Sequence, residues 1–164
     1  MTEPDGRSDP AAARVDAGAR LIKASPQAIY RAYLDPAAVA RWRPPAGMSA
    51  VVHAFDARAG GGYRMSFVHD GADAAGRGKT TDRADVFEGR FVDLVPDRRI
   101  VERVVFESAD PAFAGAMTVT TTLTPAAGGT LVAIACTGVP LGIAPADHRA
   151  GIASSLANLA AFAE

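Results

Sequence analysis

Five carboxylates lie on or near segments whose alternating apolar residues predict β-strands. They are Asp85, Glu88, Asp93, Glu102 and Glu107. A carboxyl group buried in an apolar site has a raised pKa and can serve as a general acid or base. Such residues more often line the solvent face of a sheet, and we expect this of all but one. Asp85 is the exception because it follows a polar loop, so we expect it to face the mouth of a cavity.

The three histidines are the other candidates for polar chemistry. His53 lies between Val51 and Phe55 on one face of a predicted strand, so we expect it to reach a ligand as a polar anchor or general base. The more common alternative is a partly buried histidine with a structural hydrogen bond. His69 and His148 are weaker candidates, at a strand end and near a helix start. The spacing of the histidines is not of the H-x-x-x-H type, so we predict no metal site.

The remaining reactive or loop-forming residues favour structural roles. Cys136 lies in the apolar segment LVAIACTG without a nearby histidine, which predicts a buried, inert thiol. The glycine runs 60–62 and 128–129 lie between strands without the Lys-Ser/Thr of a phosphate loop, so we interpret them as hairpin turns. Ser154 and Ser155 have no nucleophile-elbow pattern and are assigned to helix packing. The sequence therefore assigns no catalytic residue.

The elements that position these residues begin with a short strand near 20–24 and two short helices. Ser25-Pro26 and Asp35-Pro36 are typical helix starts, with a capping side chain before a proline. Period-two segments then predict six strands, at 48–56, 62–69, 84–95, 99–107, 115–125 and 130–138. A long helix follows from about 146 to 163. Its predicted buried side consists of His148, Ile152, Ser155, Leu156, Leu159 and Phe162.

This order predicts an α+β protein in which a curved antiparallel sheet of six to seven strands wraps around the long C-terminal helix. Only that helix is long enough to cover the apolar face of the sheet, and a cavity between them would hold a ligand. Alternation places Tyr63, Met65 and Phe67 on the concave face. Trp42 precedes the Pro44-Pro45 helix stop, and we expect it at the cavity entrance. The polar loop 70–83 is expected to be mobile and to gate the rim.

The composition of the chain argues against several classes of protein. The chain has 164 residues, 49% of them hydrophobic, with 17 Lys+Arg against 18 Asp+Glu. We expect a disordered leader at 1–13 and a single domain at 14–164. A net charge of -1 argues against nucleic-acid binding, which needs many basic residues. No apolar run approaches the roughly 20 residues of a membrane span and no signal peptide is visible, so we expect a cytoplasmic protein.

Several segments, taken in order, resemble a known family. They are ASPQAIYRAYLDP at 24–36, VARW at 39–42, FDAR at 55–58, GRFVDLVP at 89–96 and HRAG at 148–151. The set resembles the heat-shock-protein-90 ATPase activator homologue-like branch of the START/birch-pollen-allergen-like (SRPBCC) superfamily. The resemblance implies a helix-grip fold with a hydrophobic cavity between helix and sheet. Relatives include lipid carriers, polyketide cyclases and aromatases, hormone receptors and co-chaperone domains, so it implies the fold more firmly than the activity.

The sequence departs from this pattern at two positions. Relatives often carry two adjacent tryptophans where this chain has Trp42-Arg43, and a tryptophan where it has Ile152. Both changes are expected to alter the pocket lining. The co-chaperone itself has a second, N-terminal domain that makes much of the chaperone contact, and we expect no such domain here.

We therefore predict binding of a small hydrophobic or aromatic molecule in the cavity, with no cofactor, by a chain that could also form a homodimer. The predicted ligand contacts are Trp42, His53, Phe55, Tyr63, Met65, Phe67, Asp85, Ile152 and Leu156. One alternative is a cofactor-independent cyclase, aromatase or hydrolase that uses His53 or Asp85. A second is a protein-partner role such as chaperone ATPase activation or transcriptional regulation.

Overall fold

The computed structural model describes residues 14–71, 78–81 and 83–164. The predicted leader 1–13 and part of the predicted gating loop, residues 72–77 and 82, lie outside the described residues. The elements in chain order are β1 (Asp16–Ile22), α1 (Pro26–Leu34), α2 (Pro36–Trp42), β2 (Met48–Phe55), β3 (Gly62–His69), β4 (Ala84–Val95), β5 (Arg99–Phe106), β6 (Ala116–Ala126), β7 (Gly129–Thr137) and α3 (Pro145–Ala163). The predicted order of strands and helices is confirmed.

The seven strands form one antiparallel sheet in the order β1-β7-β6-β5-β4-β3-β2. The sheet curls into a half-barrel, and α3 lies along its concave side, so the predicted α+β helix-grip architecture is confirmed. Core residues come from the concave face, from the buried side of α3 and from the two short helices. No helix among the described residues is long and apolar enough to span a membrane.

Strand β1 begins earlier than predicted, at Asp16, and ends at Ile22. The segment forms a strand because it pairs along its whole length with β7, from Asp16 opposite Cys136 to Ile22 opposite Thr130. A Cβ atom at Gly18 would lie 2.9 Å from the Ile152 Cγ2 atom. The absence of a side chain there allows α3 to pack closely on β1, which the alternation of apolar residues does not reveal.

The two short helices begin where the sequence predicts. The Ser25 hydroxyl accepts a hydrogen bond from the Ala28 backbone N–H (3.1 Å), and the Asp35 carboxylate accepts one from Ala37 (3.0 Å). Each satisfies an N–H that the first helical turn leaves free. Helix α2 ends at Trp42, which places that side chain and the following Arg43 beside the concave face of the sheet.

Helix α3 buries Ile152, Leu156, Leu159 and Ala160. Phe162, predicted on the same side, is 38% exposed. The last turn still packs against the core through Ala160 and Ala163, whereas the Phe162 ring lies beneath the Arg41 guanidinium, 5.3 Å from the ring centroid.

Hydrogen bonds attach α3 to the segment between α2 and β2. The Ser155 hydroxyl donates to the Arg43 carbonyl oxygen (2.7 Å), and the Asn158 amide donates to that of Pro44 (2.9 Å). The Ser154 hydroxyl accepts from the Ala46 backbone N–H (2.8 Å). The packing role predicted for Ser154 and Ser155 is confirmed, and the helix thereby fixes the backbone that carries Arg43.

Candidate ligand-binding site

A cavity of about 680 Å³ lies between the concave face of the sheet and the N-terminal half of α3. Its wall is mostly apolar, and aromatic side chains from several elements contribute to it. These include Trp42, Phe67, Phe87, Phe106 and Phe113. Phe87 packs edge-to-face against both Phe67 (4.8 Å between ring centroids) and Phe106 (6.0 Å). Such a wall suits a ligand with a flat apolar body.

The predicted contact residues fall into four groups. Four line the cavity: Trp42, Phe67, Asp85 and Ile152. Tyr63, Met65 and Leu156 are buried, with Tyr63 and Met65 on the concave face as predicted, but they lie beneath the wall instead of in it. Phe55 is half-buried and stacks on Tyr63 at 5.9 Å. His53 is exposed.

The expectation that His53 reaches the cavity is wrong because β2 contains a β-bulge. Val51 pairs with Ser66 and Phe55 with Tyr63, and the register shifts between Val52 and Ala54. Residues that pair directly lie on the same face of the sheet. Ser66 and Tyr63 are three residues apart on β3 and therefore lie on opposite faces, so their partners Val51 and Phe55 do as well. The His53 ring lies 2.8 Å from the Ser66 hydroxyl. His53 thus has the structural hydrogen bond of the alternative interpretation.

Trp42 lies in the wall of the cavity and not at an open entrance. Its side chain is 2% exposed. The indole N–H donates to the Ala32 carbonyl oxygen (2.9 Å), and the ring packs edge-on against Tyr33 with centroids 4.6 Å apart. These contacts give Trp42 one fixed position between α1 and the cavity.

The main polar feature of the site is a buried cluster in which Arg43 and Glu102 line the cavity and Tyr63 lies beneath them. Arg43 Nη1 donates to Glu102 Oε1 (2.8 Å), and the Tyr63 hydroxyl donates to the same oxygen (2.7 Å). Arg43 Nη2 also donates to the Tyr63 oxygen (3.0 Å). The Glu102 side chain has no exposed surface. The cluster therefore places an ion pair in an apolar environment, where charges require close partners.

The expectation of a solvent-facing Glu102 is wrong. Glu102 pairs with Phe91 on β4 and with Val119 on β6, and all three lie on the concave face. Arg43 stands where relatives often carry a second tryptophan, but its part in this cluster does not follow from the residues around it in the chain. Glu102 lies on the same face of β5 as Ile100 and Val104, but the other face carries Val101 and Val105, so the alternation does not show which face is buried.

Gly89 allows Tyr63 to reach this cluster. Tyr63 on β3 pairs with Gly89 on β4, and Gly89 pairs with Val104 on β5. A Cβ atom at Gly89 would overlap the Tyr63 ring. The missing side chain lets the ring lie across β4, so that its hydroxyl contacts Glu102 on β5.

Three buried oxygens around the cluster lack a hydrogen-bond partner among the described residues. They are Glu102 Oε2, the Tyr33 hydroxyl and Thr121 Oγ1. All three residues line the cavity and are at most 2% exposed. Buried polar groups in proteins nearly always have partners. Partners for these oxygens must come from the contents of the cavity or from small side-chain movements.

Four groups in or beneath the wall, Arg43, Tyr33, Tyr63 and Cys136, keep one charge state near neutral pH. Burial alone would lower the pKa of Arg43, but the charge of Glu102 and the contact with Tyr63 outweigh it and raise the pKa. Burial raises the pKa of Tyr33 and of Tyr63, and it raises the pKa of the Cys136 thiol to about 12. Arg43 is therefore cationic, the tyrosines are neutral, and Cys136 is the buried, protonated thiol that its segment predicts.

A second polar group lies at the other end of the cavity. Asp85, 3% exposed, accepts hydrogen bonds from the Lys79 backbone N–H (2.7 Å) and from Lys79 Nζ (2.8 Å). Phe91, the β4 partner of Glu102, is six residues along the strand from Asp85, which corresponds to about 20 Å. The two polar ends are thus separated by the phenylalanine wall. Lys79 is the described part of the predicted gating loop that lines the cavity.

A third group joins β1 to the start of α3. The Asp16 carboxylate, 1% exposed, accepts from Arg14 Nη2 (2.9 Å) and lies 2.7 Å from His148 Nδ1. Arg14 also donates to the Ile143 carbonyl oxygen (2.6 Å). The hydrogen bond from Arg14 and the contact with His148 outweigh the effect of burial and lower the pKa of Asp16. This group holds His148 in the cavity wall.

Solved structures with the same fold span nearly the whole chain. Protein CV1439 from Chromobacterium violaceum is 34% identical, with a TM-score of 0.79 over 92% of this chain and 98% of its own. Mll3558 from Rhizobium loti is 29% identical, with a TM-score of 0.67 over 91% and 96%. An AHSA1-like protein from Aeromonas hydrophila is 18% identical, with a TM-score of 0.68 over 91% of both chains.

No curated protein gives a match to this chain. The model of the family described as Activator of Hsp90 ATPase homolog 1-like protein matches residues 23–164. That match includes both short helices, strands β2 to β7 and all of α3. The chain therefore belongs to the Activator of Hsp90 ATPase homolog 1-like (AHSA1) family.

Proposed function

We propose that this protein binds a small, mainly apolar molecule in the cavity between the sheet and α3. The observation that carries the proposal is a single cavity wall that combines aromatic side chains with a buried, incompletely bonded polar cluster. Its volume of about 680 Å³ lies within the range of small-molecule sites. The SRPBCC fold to which the family belongs commonly binds hydrophobic ligands.

The arrangement favours one orientation of the ligand. An apolar body between Phe67, Phe87 and Phe106 would gain about 0.8 kcal/mol for each buried methylene group. A polar group would then lie toward Glu102, because Asp85 and Lys79 at the other end are bonded to one another, whereas Glu102 Oε2 has no partner among the described residues. This is the arrangement of a carrier or sensor, in which a few polar groups orient an apolar ligand.

The enzymatic alternative has less support. Of the two residues predicted to take part in catalysis, His53 lies outside the cavity and Asp85 is ion-paired with Lys79. The Cys136 thiol has its pKa raised to about 12, so it is not a thiolate near neutral pH. A protein-partner role would use a surface outside the cavity, and substitutions in the wall would leave it intact.

A matched pair of variants tests the proposal. Val104 lines the cavity and is 4% exposed, whereas its neighbour Val105 is 44% exposed on the outer face. We expect the wild-type protein to bind the neutral apolar dye N-phenyl-naphthylamine with one site per chain. Val104→Phe should weaken binding about tenfold by filling the cavity, whereas Val105→Phe should not.

Binding is measured by dye fluorescence and calorimetry, and the circular dichroism of both variants is compared with that of the wild type. An absence of binding by the wild type, or equal binding by the two folded variants, contradicts the proposed function.

A further inference from the structure

We infer that the ligand carries a neutral hydroxyl group, phenolic or alcoholic, at its buried end, and that this group donates a hydrogen bond to Glu102 Oε2. The inference rests on the proposed function, since it specifies the chemistry of a ligand in that same cavity.

The two oxygens of Glu102 are bonded unequally. Oε1 accepts hydrogen bonds from both Arg43 and Tyr63, whereas Oε2 has no partner among the described residues. An ionised carboxylate is an acceptor at both oxygens and donates at neither. A group that satisfies Oε2 must therefore be a donor. Carbonyl, ether and ester oxygens do not meet this requirement.

The hydroxyl groups of Tyr33 and Thr121, beside Glu102, further restrict which ligand group fits. The Tyr33 and Thr121 hydroxyls lie close to one another, since burial raises the pKa of Tyr33 while hydrogen bonding to Thr121 lowers it by a smaller amount. Each can donate or accept, so a bond between the two leaves one of them with a proton to donate to a ligand. The pKa of Tyr33 is raised by burial, so its hydroxyl keeps its proton near neutral pH. A ligand hydroxyl can donate to Glu102 and accept from one of these two groups at the same time. A group that only accepts cannot make the bond to Glu102.

The charge of the cluster selects a neutral group. Arg43 and Glu102 already compensate one another at 2.8 Å. A ligand carboxylate would bring a second anion beside Glu102, and a ligand ammonium would bring a second cation beside Arg43. Either charge would also lose its hydration on burial. Among the described residues, no nitrogen of Arg43 is a buried atom without a partner, so the guanidinium does not require an anionic ligand.

The size of the polar group is limited as well. Glu102 and Thr121 have no exposed surface, and Tyr33 is 2% exposed. A ligand group reaches these oxygens only when the wall shifts, and a group with a single heavy atom at its tip requires the smallest shift. A hydroxyl meets the requirements of donor, acceptor, charge and size together.

Three probes with one apolar body test the inference: para-hydroxybiphenyl, para-phenylbenzoate and para-phenylbenzylammonium. At pH 7 a phenol is neutral, whereas a benzoate and a benzylammonium are charged. We expect calorimetry to give the phenol a Kd about tenfold lower than that of either ion. Unsubstituted biphenyl gives the contribution of the apolar body alone, and it should bind more weakly than the phenol.

Variants show whether the preference arises at this cluster. Thr121→Val and Tyr33→Phe each remove one hydroxyl with little change of shape, and Glu102→Gln replaces one acceptor oxygen by a donor. We expect each to reduce the preference for the phenol severalfold. Thr122→Val is the control, since Thr122 is the exposed neighbour of Thr121 on β6. If Glu102→Gln does not fold, the two hydroxyl variants carry the test.

The outcomes separate the two proposals. Tightest binding of the phenol, with a preference that Thr121→Val and Tyr33→Phe reduce and Thr122→Val does not, supports both. If biphenyl or an ion binds as tightly as the phenol, or if the hydroxyl variants keep the full preference, the inference is overturned and cavity binding stands. If the cavity binds none of the probes and no N-phenyl-naphthylamine, both proposals are overturned.

Discussion

Glu102 and Arg43 are each destabilising without the other. Both are buried in an apolar wall, with the Glu102 side chain fully buried and that of Arg43 14% exposed. Removing one partner leaves a buried charge without compensation, which typically costs about 3–5 kcal/mol, whereas replacing both by apolar residues is often neutral. We therefore expect Arg43→Met alone to lower the free energy of unfolding by this amount. Arg43→Met/Glu102→Leu should recover much of the loss.

Urea unfolding of the wild type, both single variants and the double variant gives the coupling energy of the pair. The exposed pair Arg99 and Asp93, at 2.8 Å, is the control and should show a coupling of about 0–1 kcal/mol. Additive losses at Arg43 and Glu102 would mean that the two charges do not depend on one another.

Gly89 is the second residue on which the cluster depends. Because a Cβ atom at Gly89 overlaps the Tyr63 ring, Gly89→Ala should displace that ring from Glu102. We expect a loss of about 1–3 kcal/mol in the free energy of unfolding, as for other overpacked sites. The loss should be smaller in a Tyr63→Ala background, where the overlap is absent. Equal losses in both backgrounds, measured by urea unfolding, would place the strain elsewhere.

The burial of Glu102 could not be predicted from the sequence, for a specific reason. In the segment IVERVVF, residues Ile100, Val104 and Phe106 alternate with Val101 and Val105, so both faces of the strand are partly apolar. Alternation then does not decide which face is buried. The compensating charge is on Arg43, 59 residues away in the chain, and no local pattern joins the two. The place of Asp85 in the cavity wall was predictable, because the long polar loop before it marks the start of β4.

At the scale of elements, the predictions that rest on local sequence signals are correct. The differences from prediction arise where two strands far apart in the chain pair with one another. The helix starts at Ser25 and Asp35 follow from side-chain caps, which act within a few residues. The extra length of β1 follows from pairing with β7, more than a hundred residues away. The bulge near His53 likewise depends on the partner strand β3. Beyond a bulge, the residues that would have faced one side of the sheet face the other. Val51, His53 and Phe55 therefore do not all lie on one face, as simple alternation predicts.

The group of Asp16, Arg14 and His148 that joins β1 to α3 should stabilise the protein at neutral pH but not in acid. Hydrogen bonding to Arg14, assisted by His148, lowers the pKa of Asp16 from its ordinary value of 3.8. A carboxyl group whose pKa is lower in the folded state stabilises that state above its unfolded pKa. This contribution is lost as the pH falls through the lower, folded-state value. We expect Asp16→Asn to destabilise the protein at pH 7 and to make little difference well below pH 3.8.

The measurement is urea unfolding of the wild type and Asp16→Asn from neutral to acidic pH. Asp93→Asn is the control because Asp93 forms an exposed ion pair with Arg99, which should contribute little at any pH. A difference between wild type and Asp16→Asn that stays constant down to the most acidic pH would contradict the assignment.

At the scale of the whole molecule, the sheet and α3 each cover an apolar surface of the other. Ile152, Leu156 and Leu159 would be exposed without the sheet, and the concave face would be exposed without the helix. Packing is nevertheless incomplete, because the two leave a cavity of about 680 Å³. A ligand in this cavity binds only the folded state. The stability of the protein should therefore rise with ligand concentration by mass action.

Trp42 connects ligand binding with a spectroscopic signal. It is the single tryptophan of the chain, its indole lies in the cavity wall, and its hydrogen bond to Ala32 holds it in one position. A ligand that fills the cavity excludes water from its neighbourhood and should shift or quench its emission. At a free ligand concentration of about 100 times Kd, the free energy of unfolding should also rise by about 2.7 kcal/mol.

We expect Trp42→Phe to weaken binding more than Phe162→Ala, since Phe162 lies outside the cavity at the end of α3. If a ligand bound by calorimetry leaves both the emission and the affinity of Trp42→Phe unchanged, the ligand does not contact this wall.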